Sequence, residues 1–213
     1  MKLKYPENMQ KLSDQKREEW AYINTCFEAV NRQFDIHHVN NPIITRFHMF
    51  KSKRKPKYFN SWMINKGNFQ FVLCLIEYEI EWHEATPFGG FARTAEHKYF
   101  FGYLHMNTSF GLSYIKPETM LDKINELANP IEIDFPDDRS FSRKFYVLSK
   151  NKEQLESALK PELKKYLIAT KNLELEFRNR ACLFRLPKAI DLEETIRLCE
   201  IGLKLDEIIN TNV

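Results

Sequence analysis

The stretch FQFVLCLIEYEIEW, Phe69 to Trp82, reads as one long β-strand. Val72, Cys74, Ile76, Tyr78, Ile80 and Trp82 share one face. Phe69, Phe71, Leu73 and Leu75 hold the other face until Glu77, Glu79 and Glu81 replace them. Strand side chains alternate, so one face is apolar throughout and the other turns acidic halfway along. This predicts a first half covered on both sides. The second half projects into water or lines a cleft.

Such a strand needs neighbours. Lys66-Gly67-Asn68 is a turn signal that joins it, as a hairpin, to YFNSWMIN, Tyr58 to Asn65. Upstream, IITRFHMF, Ile43 to Phe50, is expected to be a further strand after the turn at Asn40 to Pro42, with KSKRKPK, Lys51 to Lys57, as a charged loop between them. Downstream, His83 to Glu96 reads as a loop, His97 to Met106 as a strand, and Phe110 to Ile115 as a shorter one. Before all of these, Trp20, Ile23, Phe27, Val30 and Phe34 follow a 3-4-3-4 spacing. That spacing predicts a helix over 14–34, capped by Ser13 or Asp14, with one face laid on the sheet.

Beyond this meander the pattern changes to alternating helix and strand. Pro117 stands where the first turn of a helix tolerates it, with Met120, Leu121, Ile124 and Leu127 completing that helix. IEIDF, Ile131 to Phe135, and FSRKFYVLS, Phe141 to Ser149, read as strands. Pro161 divides a helical stretch into 152–159 and 161–169. LELEFRN and ACLFRLP form a hairpin, and Asp191 with Glu194 caps a closing helix over 191–209. The fold class is therefore α+β: an N-terminal helix, an antiparallel strand meander, and a C-terminal half of βαββα order with a long closing helix. Residues 1–213 are expected to form a single domain, with sub-halves 1–130 and 131–213.

Hydrophobic residues make up 43% of the 213 and charged residues 29%, ordinary values for a chain with a real core. The longest apolar stretch, Phe69 to Ile76, falls far short of a membrane span of about 18 residues. The N-terminus lacks the apolar middle of a secretory signal, so the expected compartment is the cytoplasm. Cys26, Cys74, Cys182 and Cys199 form no CxxC pair and sit among apolar residues, which predicts buried free thiols. Charge is uneven: residues 1–66 hold 13 Lys/Arg against 6 Asp/Glu, and residues 67–213 hold 19 against 23. The basic part could steer an acidic partner.

The order of these features resembles a group of uncharacterised bacterial proteins, some of them membrane-anchored. The resembling stretch runs from about Phe47 to Ile209, and its most specific element is FSRKFYV followed about a dozen residues on by LKPEL. The resemblance implies no activity and brings no catalytic residues. This sequence departs from the anchored members in having no span.

Two constellations offer chemistry. Glu81, His83 and His97 are the candidate catalytic group: if their strands form a hairpin, the two histidines could be cross-strand neighbours near its loop end and relay protons or bind zinc. The plainer alternative is a solvated loop mouth, and no HExxH-like spacing is present, so no metal site and no cofactor are assigned. Lys53, Arg54 and Lys55, flanked by Phe50, Tyr58 and Phe59, are the candidate anion-binding group, for phosphates or anionic lipid. The plainer alternative there is a charged, mobile hairpin tip. His37-His38 reads as a polar helix terminus. Together these predict a non-catalytic cytoplasmic binding or scaffold module. Its partner would be another protein or a second copy, and nucleic acid is not expected. The alternatives are a metal-dependent or acid–base enzyme using the His/Glu cluster, and a peripheral membrane protein touching anionic lipid.

Overall fold

A computed structural model describes residues 3, 11–50, 54–86, 89–119, 133, 135–188 and 190–211, with only the backbone path for 54–58, 80–86 and 89–93. Helix α1 (Asp14–Gln33) starts where Ser13 accepts a hydrogen bond from the Lys16 N–H, with Asp14 favourably placed in its first turn. Trp20, Ile23, Cys26, Phe27 and Val30 form its buried face, as the spacing predicts.

Among the described residues, eight strands form one sheet: β1 (Asp35–His38), β2 (Arg54–Lys66), β3 (Phe69–Thr86), β4 (Gly89–His105), β5 (Leu112–Pro117), β6 (Phe145–Ser149), β7 (Glu174–Arg178) and β8 (Ala181–Arg185). Their order is β1-β2-β3-β4-β8-β7-β5-β6, and every neighbouring pair is antiparallel. The β2–β3 turn needs Gly67, whose φ of 63° suits a residue with no side chain. Among the described residues, four helices follow β5: the short α2 (Arg139–Ser142), α3 (Lys152–Ala158), α4 (Pro161–Ala169) and the closing α5 (Leu192–Asn210). Asn151 caps α3, Pro161 opens α4, and Asp191 caps α5 by accepting from the Glu194 N–H at 2.7 Å. The α+β architecture is thus as expected.

The described α-helices lie on one face of the sheet. There Phe71, Leu73 and Leu75 of β3 join Trp20, Ile23 and Phe27 of α1 and Leu198, Leu205 and Ile208 of α5 in one core cluster. Cys74, Ile76 and Tyr78 face the other way and are buried in a second cluster. The first half of β3 is therefore covered on both sides, as its alternation predicts. All four cysteines are free and buried. Where β8 joins β4, Gly102 lies opposite Phe184, whose ring occupies the place a Cβ at 102 would need, 1.9 Å away. A glycine here lets the two halves of the chain meet.

Several expected elements differ. Ile43–Phe50 is a turn followed by a 3-10 helix at His48–Phe50, not a strand. Ile44, Phe47 and Phe50 are three apart, and their backbones close turns through Phe47 N–H to Ile44 C=O (2.9 Å) and Phe50 N–H to Phe47 C=O (3.1 Å). Arg54 and Lys55 are strand residues, paired with Ile80 and Glu79 across a ladder that shifts register between Pro56 and Tyr58; they are not a loop. Lys53 lies outside the described residues. The His83–Glu96 loop is instead the far end of the β3–β4 hairpin, strand as far as Thr86 and again from Gly89. Its ladder needs only backbone groups, so the polar side chains that suggested a loop do not interrupt it. His37 and His38 lie on edge strand β1, not a helix terminus. Phe141 and Ser142 end α2, leaving β6 to begin at Phe145. Pro117 closes β5 and does not open a helix; the helix expected from Met120 to Leu127 falls outside the described residues, as does most of the strand expected at 131–135.

Candidate ligand-binding cleft

Among the described residues, the second face of the sheet carries no α-helix and is only part-covered. The strap Ile44–Phe50 crosses β3, β4 and β8, burying Ile44, Phe47, Met49 and Phe50 against Cys74, Ile76, Tyr78, Phe101 and Leu183. Phe50 sets its ring 4.9 Å from Phe101 and edge-on to Tyr78 at 5.9 Å. A buried carboxylate pins the strap: Glu176 of β7 accepts hydrogen bonds from the His48 N–H and, at 2.8 Å, from the Met49 N–H. These donors satisfy a charge that would otherwise be costly at this depth.

Beyond the strap, β7, β5 and β6 leave a cleft of about 570 Å³, walled on one side by His48. Register arranges its floor in rows. Lys150, whose N–H donates to the Leu112 C=O, stands beside Leu112, which pairs with Arg178. The next row is Leu148, Tyr114 and Glu176, and the third is Tyr146 and Lys116. The Lys116 ammonium lies 5.3 Å from the centre of the Tyr146 ring. Tyr114 is held neutral: burial, then the neighbouring Glu174 carboxylate, pushes its phenol well above the ordinary value. Its hydroxyl donates to Glu174 at 3.4 Å, and Arg185 donates to the same carboxylate at 2.8 Å.

The residues singled out by sequence lie elsewhere. The hairpin register pairs Glu81 with Thr94, His83 with Ala92 and His97 with Tyr78. His83 and His97 are therefore not cross-strand neighbours; the pairing sets them five positions apart along β3, roughly 17 Å. The His97 ring is stacked with Tyr78 at 5.9 Å and Tyr99 at 6.3 Å. Among the described residues no group of three or more His, Cys, Asp or Glu could hold a metal ion. The acidic side of β3 is partly neutralised on the helix face: Lys98, its side chain 4% exposed, reaches Glu19 of α1 at 2.7 Å and Glu77 at 3.9 Å.

None of the cleft residues was singled out in the sequence, although a signal exists. LSYIKP places Leu112, Tyr114 and Lys116 on one strand face, and FYVLSK does the same for Tyr146, Leu148 and Lys150. Each is a mixed aromatic and cationic face where a solvated strand would carry small polar residues. No protein family, curated protein or solved structure matches this chain. FSRKFYV spans the end of α2 and the start of β6, and LKPEL spans the junction of α3 and α4.

Proposed function

We propose that this protein is a non-catalytic binding module, acting in the cytoplasm, whose ligand site is the cleft over β5, β6 and β7. One observation carries this reading. Among the described residues, the strap covers the second sheet face over β3, β4 and β8 and leaves an aromatic-lined space of about 570 Å³ beside it, over β5, β6 and β7. Clefts of that size and lining are where small molecules usually bind. The groups inside favour holding a ligand over transferring protons: the Glu176 carboxylate is engaged by backbone donors and the Tyr114 phenol keeps its proton. Four buried thiols and no helix long and apolar enough to cross a membrane, among the described residues, support the compartment. The enzyme reading through Glu81, His83 and His97 has less behind it, since the register separates the histidines. The membrane reading through Lys53, Arg54 and Lys55 loses the free loop it assumed, because Arg54 and Lys55 are paired strand residues.

The test is to fill the cleft. Leu148 is half-buried in its floor, and Leu148→Trp adds a large ring there. Small-molecule hits from a thermal-shift screen of the full chain should disappear in this variant, while its unliganded melting temperature stays within a few degrees. Hits that persist unchanged would place binding elsewhere.

A further inference from the structure

We infer that the cleft takes a small amphiphilic anion, its carboxylate or phosphate head between Lys150 and Arg178 and its apolar body along Tyr114, Leu148 and Tyr146. This rests on the cleft being a binding site and names the chemistry of what binds.

The rows of the floor differ in character. Lys150 and Arg178 flank Leu112 on adjacent strands, so their backbones stand about 10 Å apart, two strand spacings. Two long cationic side chains at that separation can both reach one anion above Leu112, the guanidinium with two parallel donors. Among the described residues neither is paired with a carboxylate. Glu176, one row further in, does not compete for them, because its two oxygens accept from the strap. From Lys150 to Tyr146 the strand advances four residues, about 14 Å, and the intervening surface is Leu148 and Tyr114. A cationic end followed by an apolar and aromatic floor is complementary to a head group with a tail.

The alternatives fit less well. A cationic guest would meet Lys116, Lys150 and Arg178 against the one carboxylate of Glu176. The Tyr146 ring that could receive it already faces the Lys116 ammonium. A neutral guest would gain nothing from the Lys150–Arg178 end. The volume suits a small molecule and not a folded partner.

The experiment uses the full chain with anilinonaphthalene sulfonate, itself an amphiphilic anion, as a fluorescent reporter. Decanoate, decyl phosphate, decanol and decylamine then compete for it, sharing one tail and differing in the head. Decanoate or decyl phosphate should displace the reporter about tenfold more tightly than decanol, with decylamine weakest, as expected for hydrogen bonds to a charged group. The stronger of the two anions identifies the head as carboxylate or phosphate. Lys150→Met with Arg178→Met should remove the anion preference and leave decanol unchanged, whereas Lys150→Arg with Arg178→Lys should keep it. Lys150→Gln alone, at an exposed position, should give a smaller loss and guards against misfolding of the double variant. Equal displacement by decanoate and decanol, or a preference that survives the double Met variant, overturns the anion while leaving the cleft. Reporter binding that Leu148→Trp does not change overturns the cleft itself.

Discussion

Cys74 shows how one side chain couples the core to pH. Its thiol is fully buried, with the Ser61 hydroxyl 3.5 Å from the sulfur. Burial pushes its pKa from 9.0 to about 12, against a smaller opposing effect of that hydrogen bond. In the unfolded chain the thiol titrates near its ordinary value. Between the two pKa values the unfolded chain has lost a proton that the folded chain keeps, so stability falls as pH rises. The contribution is complete below pH 9.0 and is lost as pH climbs through about 12. Cys182 and Cys199, also raised by burial, act in the same direction. Urea midpoints measured from pH 8 upward should therefore drop, and drop less steeply for Cys74→Ala. Parallel slopes for the two proteins would remove Cys74 from this account.

The strap Ile44–Phe50 is the element on which the second face depends. Among the described residues it pairs with no strand ladder; its attachments include its apolar side chains and the Glu176 carboxylate. Glu176→Ala removes the acceptor of a buried backbone donor at Met49 and a part-buried one at His48, which should cost about 2–4 kcal/mol, while Glu176→Gln keeps one oxygen and should cost less. Amide exchange at His48 and Met49 should accelerate in the Ala variant well before exchange in β3 does. Unchanged protection at these two amides would mean the apolar contacts alone suffice. This element also marks the limit of what local patterns tell. Helix α1 and the β2–β3 and β7–β8 hairpins were legible, because caps, turns and periodicity are properties of adjacent residues. Ile43–Phe50 was not, because every side chain in a β-like run with buried partners looks the same until its three-residue spacing is weighed against alternation. The single strand faces of the cleft were legible in LSYIKP and FYVLSK, but their assembly was not, for a related reason. Its rows draw on Leu112, Lys150 and Arg178, which no spacing in the chain connects and only the strand order brings together.

At the scale of the whole molecule, that strand order ties the two ends of the chain together. β8 is inserted beside β4, and α5 lies across β3 and against α1. Residues of both halves share one core cluster, so unfolding should be a single cooperative event. Fluorescence of Trp20 and Trp62, with Trp82 replaced by Phe, and the fluorine signal of a fluorophenylalanine at Phe177 should give one urea midpoint. Two separated midpoints would divide the chain into independently stable parts. The same order has a consequence for a chain emerging from a ribosome. The β4 residues Gly102 to His105 are made early, but their partners Phe184 to Ala181 follow only some 80 residues later. At about 5–20 residues per second, that β4 edge waits roughly 4–16 seconds for its partner strand. During that interval the nascent protein presents an unpaired sheet margin, the kind of edge on which another chain can add a strand.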